Sequence, residues 1–222
     1  MPGTETISLG PISGTVIVTW AIMLVLGLVS WLTTRHMALE PGPWQTAVEG
    51  VVASIEDAIA HVLPDHARTI LPVVGTLWIF IVFANLVGLI PGLHGPTGDL
   101  STTTALAVVV FASVHWFGVR IHGLRGYLAH YLQPNPLLLP FNVVSEISRT
   151  VALAVRLFGN IFSLELAALL VLLVGGLLVP VPLLMLHVVE ALVQAYIFGM
   201  LALVYIAGGI ESLEAGGRGR QE

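Results

Sequence analysis

Apolar residues run through this chain in long blocks, separated by short clusters of glycine, proline and charge. Thr15 to Leu32 is the first block, about 18 residues and long enough for a helix to cross hydrocarbon. Trp20 and Trp31 lie near its ends, where interfacial aromatics collect, and Thr33-Thr34-Arg35-His36 closes it. After the break at Glu40-Pro41-Gly42-Pro43 the pattern changes. Trp44, Val48, Val51, Val52, Ile55, Ile59 and Val62 form one stripe at helical spacing, with Gln45, Glu49, Glu56 and Asp57 elsewhere. This predicts an amphipathic helix over 43–63 lying on the membrane surface; a helix packed on a soluble domain is the alternative. Pro64-Asp65-His66 ends it. A second crossing is predicted over 69–91, closed by Pro91-Gly92, and Asn85 inside it reads as an interhelical hydrogen bond.

A turn-rich loop, His94 to Asp99, leads into Ser101-Thr102-Thr103-Thr104 and a third crossing over 101–120. Asp99 stands where a carboxylate accepts from free backbone N–H groups at a helix start, or wets a cavity. His115 reads as a histidine satisfied between helices. Arg120, His122, Arg125 and His130 mark a basic linker, and Pro134, Pro136 and Pro140 interrupt any continuous helix. Two segments follow, 141–175 and 183–212, separated by Gly175-Gly176, Pro180 and Pro182. Each exceeds about 25 residues, more than a perpendicular crossing needs, which predicts strong tilt or shielding from lipid by protein. The expected fold is an all-α integral membrane protein in a single membrane domain over 1–222. It has an N-terminal transmembrane helix at 14–34, an amphipathic surface helix, two further transmembrane helices and a long C-terminal helical hairpin.

Composition agrees with that pattern. The mean hydropathy is +0.95, and 56% of the 222 residues are hydrophobic against 9% charged, where a soluble domain has about 25% charged. A soluble globular enzyme is excluded on these grounds. There is no cysteine, which excludes disulfides, thiolate nucleophiles and sulfur-ligated metals. The start, Met1 to Thr6, lacks a basic region and does not read as a signal or transit peptide. The net charge of -5 is small, and nothing points to nucleic acid.

Every fixed positive charge is an arginine, and their positions give an orientation. Arg35 and Arg68 flank the loop between the first two crossings, Arg120 and Arg125 follow the third, and Arg218 and Arg220 end the chain. The positive-inside rule then puts the N-terminus outside and the C-terminus in the cytoplasm, with the hairpin turn on the outer side. An arginine-only, alanine-rich composition points to a GC-rich bacterial host.

The chemistry concentrates in the hairpin. Arg156 lies in the run Val151 to Phe162, among residues that avoid water. A guanidinium cannot shed its charge to escape burial, and at the bilayer centre that charge costs roughly 2.5–3.5 kcal/mol on insertion scales. At about 100° per residue, Arg149, Asn160, Ser145 and Ser163 fall within about 40° of Arg156, and Glu165 falls opposite. In the second segment His187, Glu190, Gln194 and Tyr205 share one face. Four uses of these stripes stay open from the residues alone. Arg156 pairs with Glu165 or Glu190 to hold the hairpin; the stripes line a solute path in a stand-alone secondary transporter or channel; carboxylates and histidine relay protons past a fixed positive barrier; or His187, Glu190 and Glu165 hold a metal, for which a lone histidine is weak support.

At these residues the sequence resembles the subunit a family of the F-type ATP synthase membrane sector. The resemblance rests on Ser145-Glu146-Ile147-Ser148-Arg149, Arg156-Leu157-Phe158-Gly159-Asn160, Glu165, His187 and Gln194-Ala195-Tyr196-Ile197-Phe198. It extends to Pro41-Gly42-Pro43-Trp44-Gln45 with Glu49, to Asn85-Leu86-Val87-Gly88-Leu89-Ile90-Pro91, and to Asp99 before Thr104-Ala105-Leu106-Ala107. It implies a stator ion-channel subunit without a catalytic site or cofactor, in a bacterial inner membrane, partnered by a c-subunit ring, a b-subunit peripheral stalk and the rest of the synthase. Arg156 matches the family's essential arginine. Asn160, Glu165, His187 and Gln194 match positions lining the outer half-channel or supporting the arginine, and Glu146 and Arg149 match positions near the cytoplasmic exit. Glu190 and Asp99 join the expected ion-translocation residues. The last two helices become a tilted pair inclined along the ring. Protons are the expected ion, with sodium as the alternative, because the ring's own site decides between them.

Overall fold

The computed structural model of the chain describes residues 14–35, 42–90, 95–131, 139–175 and 180–218, and among them all regular structure is helical. Six α-helices follow one another: α1 Gly14–Arg35, α2 Pro43–Val62, α3 Ala67–Val87, α4 Leu100–Tyr131, α5 Leu139–Gly175 and α6 Pro180–Arg218. Short 3₁₀ turns at Pro64–His66 and Pro96–Gly98 precede α3 and α4. Five helices contain apolar stretches long enough to cross a membrane, all except α2. The chain is a multi-pass membrane protein.

The layering follows the distribution of apolar and small residues. α3 is the central rod, with Ile70, Val74, Leu77, Trp78, Ile81 and Ala84 all buried. It packs chiefly on α6, which in turn packs on α4 and α5; α1 and α2 lie outside. α6 can approach closely because its inner face carries Ala191, Ala195, Gly199 and Ala202, all buried. Small residues at three- and four-residue spacing let membrane helices come together on dispersion contacts. A Cβ built on Gly199 would fall inside the indole of Trp78. Trp78 Nε1 donates to the Tyr196 carbonyl at 3.2 Å, and Asn85 Nδ2 donates to the Ala191 carbonyl at 3.0 Å. Asn85 thus makes the interhelical bond its place in an apolar run suggests.

α2 begins with Pro43 at a position whose N–H would have no helical acceptor. Its apolar stripe divides. Ile55, Ile59 and Val62 pack against α3 and its neighbours, whereas Trp44, Val51 and Val52 stay exposed. Arg68 reaches back to Glu56 at 3.3 Å, and Trp44 Nε1 donates to Thr33 Oγ1 of α1 at 3.3 Å. Glycine matters at two further places. Gly88 and Gly95 pass so closely that a Cβ on Gly88 would lie 3.2 Å from Gly95 Cα, which seats the turn before α4 against the end of α3. Gly123 has φ 75°, a conformation open to glycine at little cost. There α4 kinks and runs on to Tyr131, where the sequence reads as a linker, and the kinked segment buries Tyr127.

α5 is one-sided. Leu153, Ala154, Leu157, Ile161 and Leu164 are buried, while Val151, Val155, Phe162, Leu166 and Leu169 are exposed. α6 leaves Val189, Leu192, Val193, Tyr196 and Ile197 exposed as well. An apolar side chain in contact with lipid or another membrane helix costs nothing, so both helices of the hairpin offer a surface for one or the other.

Candidate functional site

Arg156 lies on the exposed side of α5, between buried Leu153 and Leu157 on one flank and exposed Val155 on the other. Among the described residues it has no hydrogen-bond or ion-pair partner. The guanidinium is therefore offered outward on an apolar face, where it meets whatever covers that face. Glu190 of α6 is half-buried. The side chain of Glu165 lies outside the described residues.

One turn beyond Arg156, Asn160 Nδ2 donates to Gln194 Oε1 at 2.7 Å, joining α5 to α6. Gln194 is 2% exposed and His187, two turns before it on α6, is 3% exposed. Among the described residues, four buried polar side-chain atoms lack a protein partner: Gln194 Nε2, His187 Nε2, Asn85 Oδ1 and Thr97 Oγ1. A buried polar group left unpaired costs roughly 1–3 kcal/mol. Such groups in α3, α6 and the turn before α4 therefore mark places where water or an ion gains a hydrogen bond. Thr97 escapes sequence reasoning because a threonine in a turn looks like solvent-facing loop.

In the other direction along α5 a cavity of about 420 Å³ opens between α4, α5 and α6. Its polar lining is Asn142, Ser145, Glu146, Arg149 and Thr150 from α5, Tyr205 from α6 and Tyr127 from the kinked end of α4. Arg149 Cζ sits 5.8 Å from the centre of the Tyr205 ring, a cation–π distance. Gly208 and Gly209 form the α6 wall. Glu146 Oε1 lies 3.7 Å from His115 Nδ1 of α4, a pairing no sequence pattern shows because the two residues are on different helices.

Asp99 stands apart from both groups. It is the residue before α4, and its Oδ1 accepts from the backbone N–H and the hydroxyl of Ser101, both at 2.9 Å. This is the capping role its position predicts. Burial pushes its carboxyl up, but the backbone and hydroxyl bonds from Ser101 and the Thr15 hydroxyl outweigh it and hold the group below its ordinary range. The bond from Thr15 also ties α1 to the start of α4.

The structure thus arranges the expected residues in three levels along the hairpin. Glu146 and Arg149 line a cavity, Arg156 follows on the exposed side of α5, and Asn160, Gln194 and His187 lie beyond it. Residues 16–207 match the family model described as ATP synthase A chain. ATP synthase subunit a 2 of Pelobacter propionicus is 66% identical over 209 residues, 93% of this chain and 92% of that one. ATP synthase subunit a of Legionella pneumophila (strain Paris) is 57% identical over 210 residues, covering 94% and 91%. ATP synthase subunit a 2 of a Bradyrhizobium species is 48% identical over 219 residues, covering 97% and 98%.

Proposed function

The chain belongs to the ATP synthase A chain family, and on that premise we propose that it is the stator half of a rotary proton path. The observation that carries this reading is the placement of Arg156. A permanent charge without a partner among the described residues stands on an exposed apolar face, with separate polar groups on either side of it along the helices. A charge in that position stabilises an anion brought to it by another protein.

That anion is a carboxylate on a ring of c subunits turning past α5 and α6. Facing lipid, each ring carboxylate is neutral, because burying its charge costs too much. Beside Arg156 it ionises, because the opposite charge favours the anion. The buried polar atoms of His187, Gln194, Asn85 and Thr97, with Asn160, Glu165 and Glu190, border the outer half-channel. The cavity with Glu146 and Arg149 is the inner, cytoplasmic one. Asp99 serves the outer side by fixing the start of α4. A proton enters from one side, rides the ring round and leaves by the other, and Arg156 blocks the direct leak. Each charge crossing contributes about 2.3 kcal/mol per 100 mV, which drives rotation and hence ATP synthesis, or is driven by hydrolysis in reverse. The chain contributes no catalytic site. Its N-terminus faces outward and its C-terminus the cytoplasm of a bacterial inner membrane, and a b-subunit stalk holds it still.

The test is reconstitution. Liposomes carrying the whole synthase should acidify on ATP addition, and liposomes carrying this chain alone should take up neither protons nor sodium under a membrane potential. Uptake by the chain alone would replace the rotary reading with a stand-alone transporter.

A further inference from the structure

Two polar links join α5 to α6 in one antiparallel register. Asn160 reaches Gln194. About three turns back on α5 and three turns on along α6, Arg149 Cζ lies 5.8 Å from the centre of the Tyr205 ring. The path described above gives Tyr205 no task. Its ring is half-buried and Arg149 is exposed. Their separation is inside the roughly 6 Å over which a ring face attracts a guanidinium. Among the described residues Arg149 makes no hydrogen bond or ion pair, so the ring is the group that fixes its position. Gly208 and Gly209 follow Tyr205 one turn on. A Cβ built on Gly208 meets nothing within 4 Å, so α6 is bare beside the ring.

Arg149 and Tyr205 both line the cavity between α4, α5 and α6. Ser145, one turn before Arg149, and Leu153, one turn after it, line the same cavity. The linked pair therefore stands between the mouth at Ser145 and the floor at Leu153, on the way to Arg156. The α4 wall is apolar at Ala107, Val110, Phe111 and Val114. Low-dielectric walls of this kind focus the field of a charge held between them. A guanidinium keeps that charge at every working pH.

We propose that Tyr205 is a positioning residue that makes the inner cavity select against metal cations: its ring holds the Arg149 guanidinium over the gap from α5 to α6, between the mouth and Leu153. A sodium or potassium ion has to carry its full charge past that point. A proton does not travel that way near neutral pH, where free hydronium is scarce. It is exchanged with waters and buffer bases, and a fixed cation draws anionic bases in. The cavity thus admits proton exchange and turns back the far more abundant metal ions. This rests on reading the cavity as the inner half-channel. Glu146 and Tyr127 at the cavity, and His115 behind them, add to the field. They are the same in every variant below, so the comparison isolates Arg149.

The experiment uses the whole synthase in inverted vesicles, where the buffer bathes the inner cavity. The chain has no cysteine of its own, so Leu153→Cys gives it one thiol at the floor and Ser145→Cys one at the mouth. Each is reacted with an anionic methanethiosulfonate (sulfonatoethyl) and a cationic one (trimethylammonioethyl). The ratio of the two rates cancels the thiol's own reactivity. Focused charge changes encounter rates by tenfold or more. The anionic-to-cationic ratio at Leu153→Cys should therefore fall about tenfold with Arg149→Gln, and about threefold with Tyr205→Leu, which frees the guanidinium without removing it. Tyr205→Phe keeps the ring and should keep the ratio. In an Arg149→Gln background the Tyr205 change should move nothing further, and at Ser145→Cys the Tyr205 variants should leave the ratio in place. Thr150→Cys, also on the cavity wall, serves where Leu153→Cys disturbs assembly. A ratio at the floor that Tyr205→Leu leaves unchanged overturns the proposal. So does a fall that persists without Arg149. Labelling from the outer face only would overturn the reading of the cavity itself, which separates that failure from failure of the filter.

Discussion

Replacing Arg156 with alanine is expected to abolish ATP-driven ion pumping by the assembled complex, while the detached soluble sector hydrolyses nucleotide at its ordinary rate. The reasoning is electrostatic. A neighbouring positive charge lowers a carboxyl pKa by about 1–3 units, and each unit is worth about 1.36 kcal/mol. Without Arg156 the ionised ring carboxylate becomes about ten- to a thousandfold rarer at the one place where it must release its proton. The barrier to direct leakage goes as well, so a gradient imposed across the membrane should dissipate faster. Arg156 makes no hydrogen bond or ion pair among the described residues, so its removal should leave the fold intact. Pumping and thermal unfolding of the same preparation separate the two effects. Loss of pumping accompanied by loss of assembly would instead make Arg156 a structural residue.

The second large effect is expected at Gly199. A Cβ there would overlap the indole of Trp78, and Trp78 is itself bonded to the backbone of α6. The clash involves a ring in a crowded core, with little freedom to give. Overpacking of this kind costs about 1–3 kcal/mol, and displacing the indole forfeits its hydrogen bond, about 0.5–1.5 kcal/mol more. Gly199→Leu should therefore lower the thermal midpoint of the purified complex or prevent its assembly. Trp78→Leu should restore part of the loss in the double variant, since it clears the space. Equal penalties with and without Trp78 would show that α3 and α6 do not meet there.

Much of this architecture is legible in the sequence, and the reasons are local. Crossing helices show as long apolar runs because lipid tolerates no unpaired backbone. Asp99 announces a helix start and caps α4. Asn85, alone in an apolar run, finds its partner on α6. Arg156 stands out because its cost is large. What escapes is set by how helices rotate against one another. The stripe of α2 looks uniform, yet only its second half meets α3. His115 gives no sign of Glu146, because their contact depends on the register of α4 against α5. The extension of α4 past Gly123 hides behind basic residues, since the positive φ that redirects the chain leaves no pattern except the glycine itself.

The claim on which the mechanism turns is that the exposed face of α5 around Arg156 lies against the rotating ring. The chain has no cysteine, so single cysteines report on position without background. Val155, beside the arginine, is 53% exposed, and Leu157, on its other side, is fully buried. Each is replaced by cysteine in a synthase whose ring subunit carries one cysteine a helical turn from its carboxylate, and the complex is oxidised in the membrane. The account predicts a disulfide from Val155→Cys to the ring subunit and none from Leu157→Cys. A Val155→Cys chain that forms no bond to the ring and reacts freely with a lipid-soluble maleimide would contradict it.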